Sequence, residues 1–175
     1  MTWQELGGGG PSWAFLEAEG IEWLSAYFNC EVFRNDDEHA ILDCILVNSP
    51  RYCTLEEEDP TPWAYGEVKG RLFPKGQFDT ALLDRYKLNF ARAVPIPSYL
   101  VVVWIDAYGL LELTKITDDQ FTDETRTVKD PLKGKVEKEV VLLPVRLFII
   151  EPRIRVTTTD YRIHFDGYPR GAYQP

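Results

Sequence analysis

The stretch Ser98 to Asp106, SYLVVVWID, constrains the fold more than any other. From Tyr99 to Ile105 every residue is apolar, and four of the seven are β-branched. Such a run leaves no face for water, so it reads as a central strand covered on both sides. A strand of that kind requires a sheet with a layer above it and a layer below it. The chain can supply these layers. It has 175 residues, 45% of them hydrophobic, enough for one domain with a substantial core.

The same composition excludes several classes. A 13% aromatic content argues against disorder. No apolar run approaches the roughly 18 residues of a membrane span. The opening MTWQELGGGG has neither a basic nor an apolar segment of the secretory kind. Cys30, Cys44 and Cys53 form no CxxC pair, so neither a disulfide framework nor a zinc site is expected, and a reducing cytoplasm is the default location.

Periodicity then orders the elements. Pro11 or Ser12 opens a helix carrying Trp13, Leu16, Ile21, Leu24, Ala26 and Phe28, with Glu17, Glu19 and Glu22 between them. Strands follow at Glu31–Arg34, from about Ala40 to Val47, and through WAYGEVKGRLF. GQFDTALLDRYKLNFARA reads as a second helix, with Phe78, Leu82, Leu83, Tyr86 and Phe90 as its apolar stripe. After the SYLVVVWID strand, AYG reads as a turn into LLELTKI, and residues 117–139 read as a polar loop. VVLLPVRLFII and TTTDYRIHF supply late strands. The expectation is an α/β fold, a central mixed β-sheet flanked by helices. Residues 1–116 form its core and residues 117–175 a β-rich C-terminal extension of the same domain.

The chemistry lies in YGEVKGR. Period-two alternation puts Tyr65, Glu67, Lys69 and Arg71 on one face of a strand that otherwise looks buried. Asp43 falls on the apolar face of the strand before it. A carboxylate on such a face is costly unless paired or bound to a cation. If the two strands pair, Asp43 can face Glu67. A divalent cation resolves the repulsion of two close carboxylates, and hard oxygen donors suit Mg²⁺ or Mn²⁺. There are two simpler readings. Glu67 and Lys69 would form an edge-strand ion pair contributing about 0–1 kcal/mol, and Asp43 would accept backbone hydrogen bonds at a strand end.

Asp43 in ILDCIL and Glu67-Val68-Lys69 in GEVKG resemble the motifs of the PD-(D/E)XK nuclease superfamily. The helix, three strands, helix, strand order over roughly residues 12–115 is similar to that superfamily's core. The resemblance implies a restriction-endonuclease-like fold, with Asp43 and Glu67 holding Mg²⁺ (or Mn²⁺) and Lys69 as the catalytic lysine. It also implies a glutamate from the first helix, Glu19 or Glu17, of which Glu19 lies nearer the helix centre. Tyr86 and Lys87 resemble residues that some branches place near the phosphate. Arg71 is a further substrate-binding candidate. The sequence departs from the pattern in reading LD for PD, and in an acidic insertion, EEED, at residues 56–59.

The net charge of −9 argues against broad nonspecific nucleic-acid binding. The acidity is concentrated before Lys69. Lys69, Arg71, Lys75, Arg85, Lys87 and Arg92 then form a basic island suited to phosphate. The leading expectation is a Mg²⁺-dependent endonuclease acting on DNA. Its apolar late strands are expected to pack either back on the core or across the two-fold interface of a homodimer, the second being preferred. The alternative is a nuclease-fold binding or assembly module without catalysis.

Overall fold

The computed structural model describes residues 12–35, 40–48, 61–130 and 133–153. The GGGG run, Asp36 and Asp37, His39, the EEED segment, Cys53 and the TTTDYRIHF segment lie outside the described residues.

Helix α1 spans Trp13–Phe28. Ser12 caps it, its hydroxyl accepting the Phe15 N–H at 3.2 Å. Asn29, at φ 49°, ends it in the left-handed conformation. The buried stripe is Leu16, Gly20 and Leu24, while Trp13 is exposed.

The main sheet contains β1 (Glu31–Arg34), β2 (Cys44–Val47), β3 (Ala64–Arg71), β5 (Ser98–Trp104), β6 (Ala107–Glu112) and β9 (Ile149–Pro152), in the order β1-β2-β3-β5-β6-β9. All neighbours are antiparallel except β3 and β5. That parallel pair needs a crossover, which consists of β4 (Thr80–Asp84) and helix α2 (Arg85–Ala93). A second, antiparallel sheet runs β4-β8-β7, with β7 at Thr122–Asp130 and β8 at Gly134–Pro144. The molecule is therefore α/β around a mixed central sheet. Among the described residues no helix is long and apolar enough to cross a membrane.

The double covering expected for SYLVVVW is present. Val101 and Val103 of β5 pack with Leu16 and Leu24 of α1 and with Val68 of β3. Leu100 and Val102 face Leu88 and Ala91 of α2, Leu83 of β4, and Val141 and Leu143 of β8. α1 thus lies on one face, and α2 with the second sheet on the other.

Four expectations fail. AYG is not a turn but the start of β6, paired with β9. Residues 80–84 are strand, not the first half of a helix, because alternating Ala81 and Leu83 are buried against β8. Residues 117–139 are not a loop; most of them form the β7–β8 hairpin, turned by Gly134 at φ 78°. The strand expected from Ala40 begins only at Cys44. The segment VVLLPVRLFII supplies the end of β8 and the first half of β9, which pair with β4 and β6. This segment folds back on the core, one of the two outcomes expected for it, while YRIHF, the other segment on which the expectation of a dimer rested, lies outside the described residues.

Candidate functional site: a carboxylate–lysine cluster between two strands

The β2–β3 register sets Cys44 opposite Gly66. One step further along the same antiparallel register, Asp43 comes opposite Glu67. The β2 strand stops there, and the Asp43 side chain takes over the next backbone position. Its Oδ2 accepts the Val68 N–H at 3.1 Å, as the simpler reading of Asp43 expects. Its other oxygen, Oδ1, takes no part in that bond, and the side chain is 38% exposed.

Glu67 sits at the centre of β3 and is 0% exposed. Its partner across the parallel ladder is Leu100, so it points to the α2 side of the sheet. Lys87 reaches it from the first turn of α2, its Nζ donating to Oε1 at 2.6 Å and to Oε2 at 2.7 Å. The same ammonium lies 3.6 Å from Asp43 Oδ1. Lys69, two residues along β3, meets Glu67 Oε1 at 2.6 Å with 28% of its side chain exposed. Two carboxylates and two lysines therefore close a cluster of zero formal charge.

Burial raises the Glu67 carboxyl above its ordinary value of 4.5; Lys69 and Lys87 oppose that shift and the nearby Asp43 charge adds to it. Burial alone would lower Lys87, but the hydrogen bonds and charge of Glu67 prevail, aided by Asp43, and its value is raised above 10.5. The neighbouring Cys44 thiol is pushed up to about 12, chiefly by burial and then by the charges of Asp43 and Glu67. It is a core residue and not a nucleophile.

The remaining candidates are placed differently. Glu19 does not join the cluster. It lies on α1, across the sheet, where Arg153 grips both of its oxygens at 2.6 and 2.7 Å and the Tyr108 hydroxyl donates to it. Glu17 is the helix glutamate whose charge acts on Arg71. Arg71 is turned onto backbone, donating to the carbonyls of Gly70 at 3.1 Å and Leu82 at 3.4 Å. Tyr86 is 54% exposed beside Lys87. Trp63 belongs to an aromatic group with Phe28 and Tyr99.

No family model, curated protein or solved structure matches this chain.

Among the described residues no three His, Cys, Asp or Glu side chains converge as a metal cluster. The donor set nevertheless suits a hard cation. Three carboxylate oxygens, two from Glu67 and one from Asp43, already converge on one point charge, the Lys87 ammonium. Mg²⁺ commonly binds through one or two carboxylates and keeps several waters, so Asp43 and Glu67 suffice as side-chain ligands. What sequence reasoning missed is the tie between Lys87 and Glu67. The available signal was a lysine on the buried face of α2, alongside Leu88 and Ala91.

Proposed function

We propose that this chain is a divalent-metal-dependent phosphodiesterase acting on DNA, built on a restriction-endonuclease-like core. One observation carries the reading: Asp43, immediately before β2, and Glu67 of β3 meet at a single cation seat, with Lys69 on the same face of β3. The order α1, β1, β2, β3, β4, α2, β5, with β3 and β5 parallel and linked through β4 and α2, supports the same reading, β4 being an addition that the expected order lacks. Asp43 and Glu67 would hold the metal. When bound, a divalent ion supplies positive charge at the scissile phosphate and makes water a stronger nucleophile at neutral pH. Lys69, partly exposed at the mouth of the cluster, orients the attacking water and offsets negative charge as it develops on phosphate. The Asp43 carboxylate is fixed in place by the Val68 N–H. Tyr86, exposed on the same helix turn as Lys87, is the candidate for contact with a phosphate-bearing strand.

The test is cleavage of supercoiled plasmid and of branched DNA with Mg²⁺ or Mn²⁺. Activity is expected in the native chain and its loss in Lys69→Ala. Unchanged cleavage by that variant would remove the mechanism.

A second reading is favoured by the zero net charge of the cluster and the complete burial of Glu67. In it the four side chains are a structural ion cluster in a non-catalytic binding or assembly module. No cleavage, together with no Mn²⁺ binding at millimolar concentration, would select it.

A further inference from the structure

We propose that Lys87 is the resident cation of this site, and that a divalent metal ion binds only by displacing its ammonium from Glu67. The inference rests on the phosphodiesterase reading and adds a residue that sets the metal affinity.

Three observations support it. First, Lys87 contacts Glu67 through both oxygens, at 2.6 and 2.7 Å, and faces Asp43 Oδ1 at 3.6 Å. The oxygens a metal would need are the ones its ammonium occupies. Second, Lys87 is only 8% exposed and lies in the first turn of α2. A cation there faces the positive end of the helix dipole, so the helix does not favour it. The carboxylates opposite do. Third, charge forbids simple addition. Lys69, Lys87 and a divalent ion together would set four positive charges against two negative ones, at contact distances where like charges repel strongly. Withdrawing Lys87 relieves most of this excess, and its four-carbon stem lets the ammonium swing clear while its backbone stays in the helix. Lys69 makes one contact to Glu67 and is partly exposed, so it can remain beside the metal.

Metal binding is then an exchange of one cation for another, and the affinity of the native chain is weakened by the cost of moving Lys87. The experiment is calorimetric titration of the full chain with Mn²⁺ alone, without DNA, at neutral pH. It compares the native chain with Lys87→Met, Lys87→Gln and Asp43→Ala. The two neutral Lys87 variants are expected to bind Mn²⁺ at least tenfold more tightly than the native chain, and to gain more in melting temperature from saturating Mn²⁺. Asp43→Ala is expected not to bind. If Lys87→Met fails to fold without metal, Lys87→Gln, which can still hydrogen-bond Glu67, carries the comparison. Equal or weaker Mn²⁺ binding by the Lys87 variants, with the native chain binding, overturns the exchange and leaves the phosphodiesterase reading in place. No binding by any of the chains removes that reading, and the exchange with it.

Discussion

Glu67 has no solvent exposure and two lysines within 2.7 Å. The lysines contribute unequally to its environment. Lys69 is partly exposed, so water screens its attraction; Lys87 is buried and bidentate. Removing one partner of a buried pair typically costs about 3–5 kcal/mol, because the other charge is left uncompensated. Lys87→Met should therefore cost about 3 kcal/mol at pH 7, the lower end, since Lys69 remains. The pH dependence follows from the direction of the Glu67 shift. Its folded pKa is raised above 4.5, so the fold binds that proton more tightly than the unfolded chain does. That contribution is complete below 4.5 and is lost as pH rises through the raised value. Without Lys87 the carboxyl rises further, and the deficit of the variant should narrow as pH falls from 7 to 5. Urea unfolding at the two pH values measures it, and a deficit that widens on acidification would refute the assignment. In the native chain the raised Lys87 contributes fully below 10.5, and its contribution is lost as pH rises through its higher folded value.

At the scale of elements, the close packing of α1 on the sheet depends on Gly20. A methyl group there would lie 2.6 Å from Val68 Cγ1 and 2.7 Å from Val103 Cγ2. Helix propensity favours Gly20→Ala by about 1 kcal/mol, while overpacking a core costs about 1–3 kcal/mol. With β-branched side chains on both near contacts, overpacking should prevail. The variant is expected to melt lower than the native chain, and a higher melting temperature would show that α1 can lift from the sheet at little cost. In the sequence Gly20 registers only as a weak point in a helix, because its reason for being there sits on β3 and β5. The same limit explains the elements that were misread. Phe78, Leu82 and Tyr86 mimic a helical stripe, yet β4 is decided by β8, some sixty residues away. The β7–β8 hairpin is exposed along most of its length, so it carries no alternation of apolar and polar residues to read. Glu67 and Lys69 are legible because strand periodicity fixes which residues of β3 share a face, whereas Asp43, read as part of a strand, lies just before β2. Arg153, the partner of Glu19, lies 134 residues from it, and no local pattern points to it.

At the scale of the molecule, β9 and Arg153 join the last described residues to the first helix. Beyond gripping Glu19, Arg153 donates to the Ile105 carbonyl at 3.0 Å, and its own N–H reaches the Asp106 carbonyl at 3.0 Å. Trp23 of α1 adds a bond from its indole N–H to Glu151 at 3.1 Å. Arg153→Met should cost about 2 kcal/mol, less than a fully buried pair because Glu19 keeps 20% exposure. Chemical unfolding followed by tryptophan fluorescence gives the value, and a change within 0.5 kcal/mol would show that the clasp is ornamental to stability. The clasp also bears on synthesis. A chain emerging from the ribosome offers α1, Asp43 and the strand bearing Glu67 before β8, β9 and Arg153. Until then one core face lacks its β8 cover, the β6 edge is open and Glu19 has no counter-charge. The nascent chain therefore has all four side chains of its cluster, Asp43, Glu67, Lys69 and Lys87, well before Arg153 clears the exit tunnel and closes the clasp on Glu19.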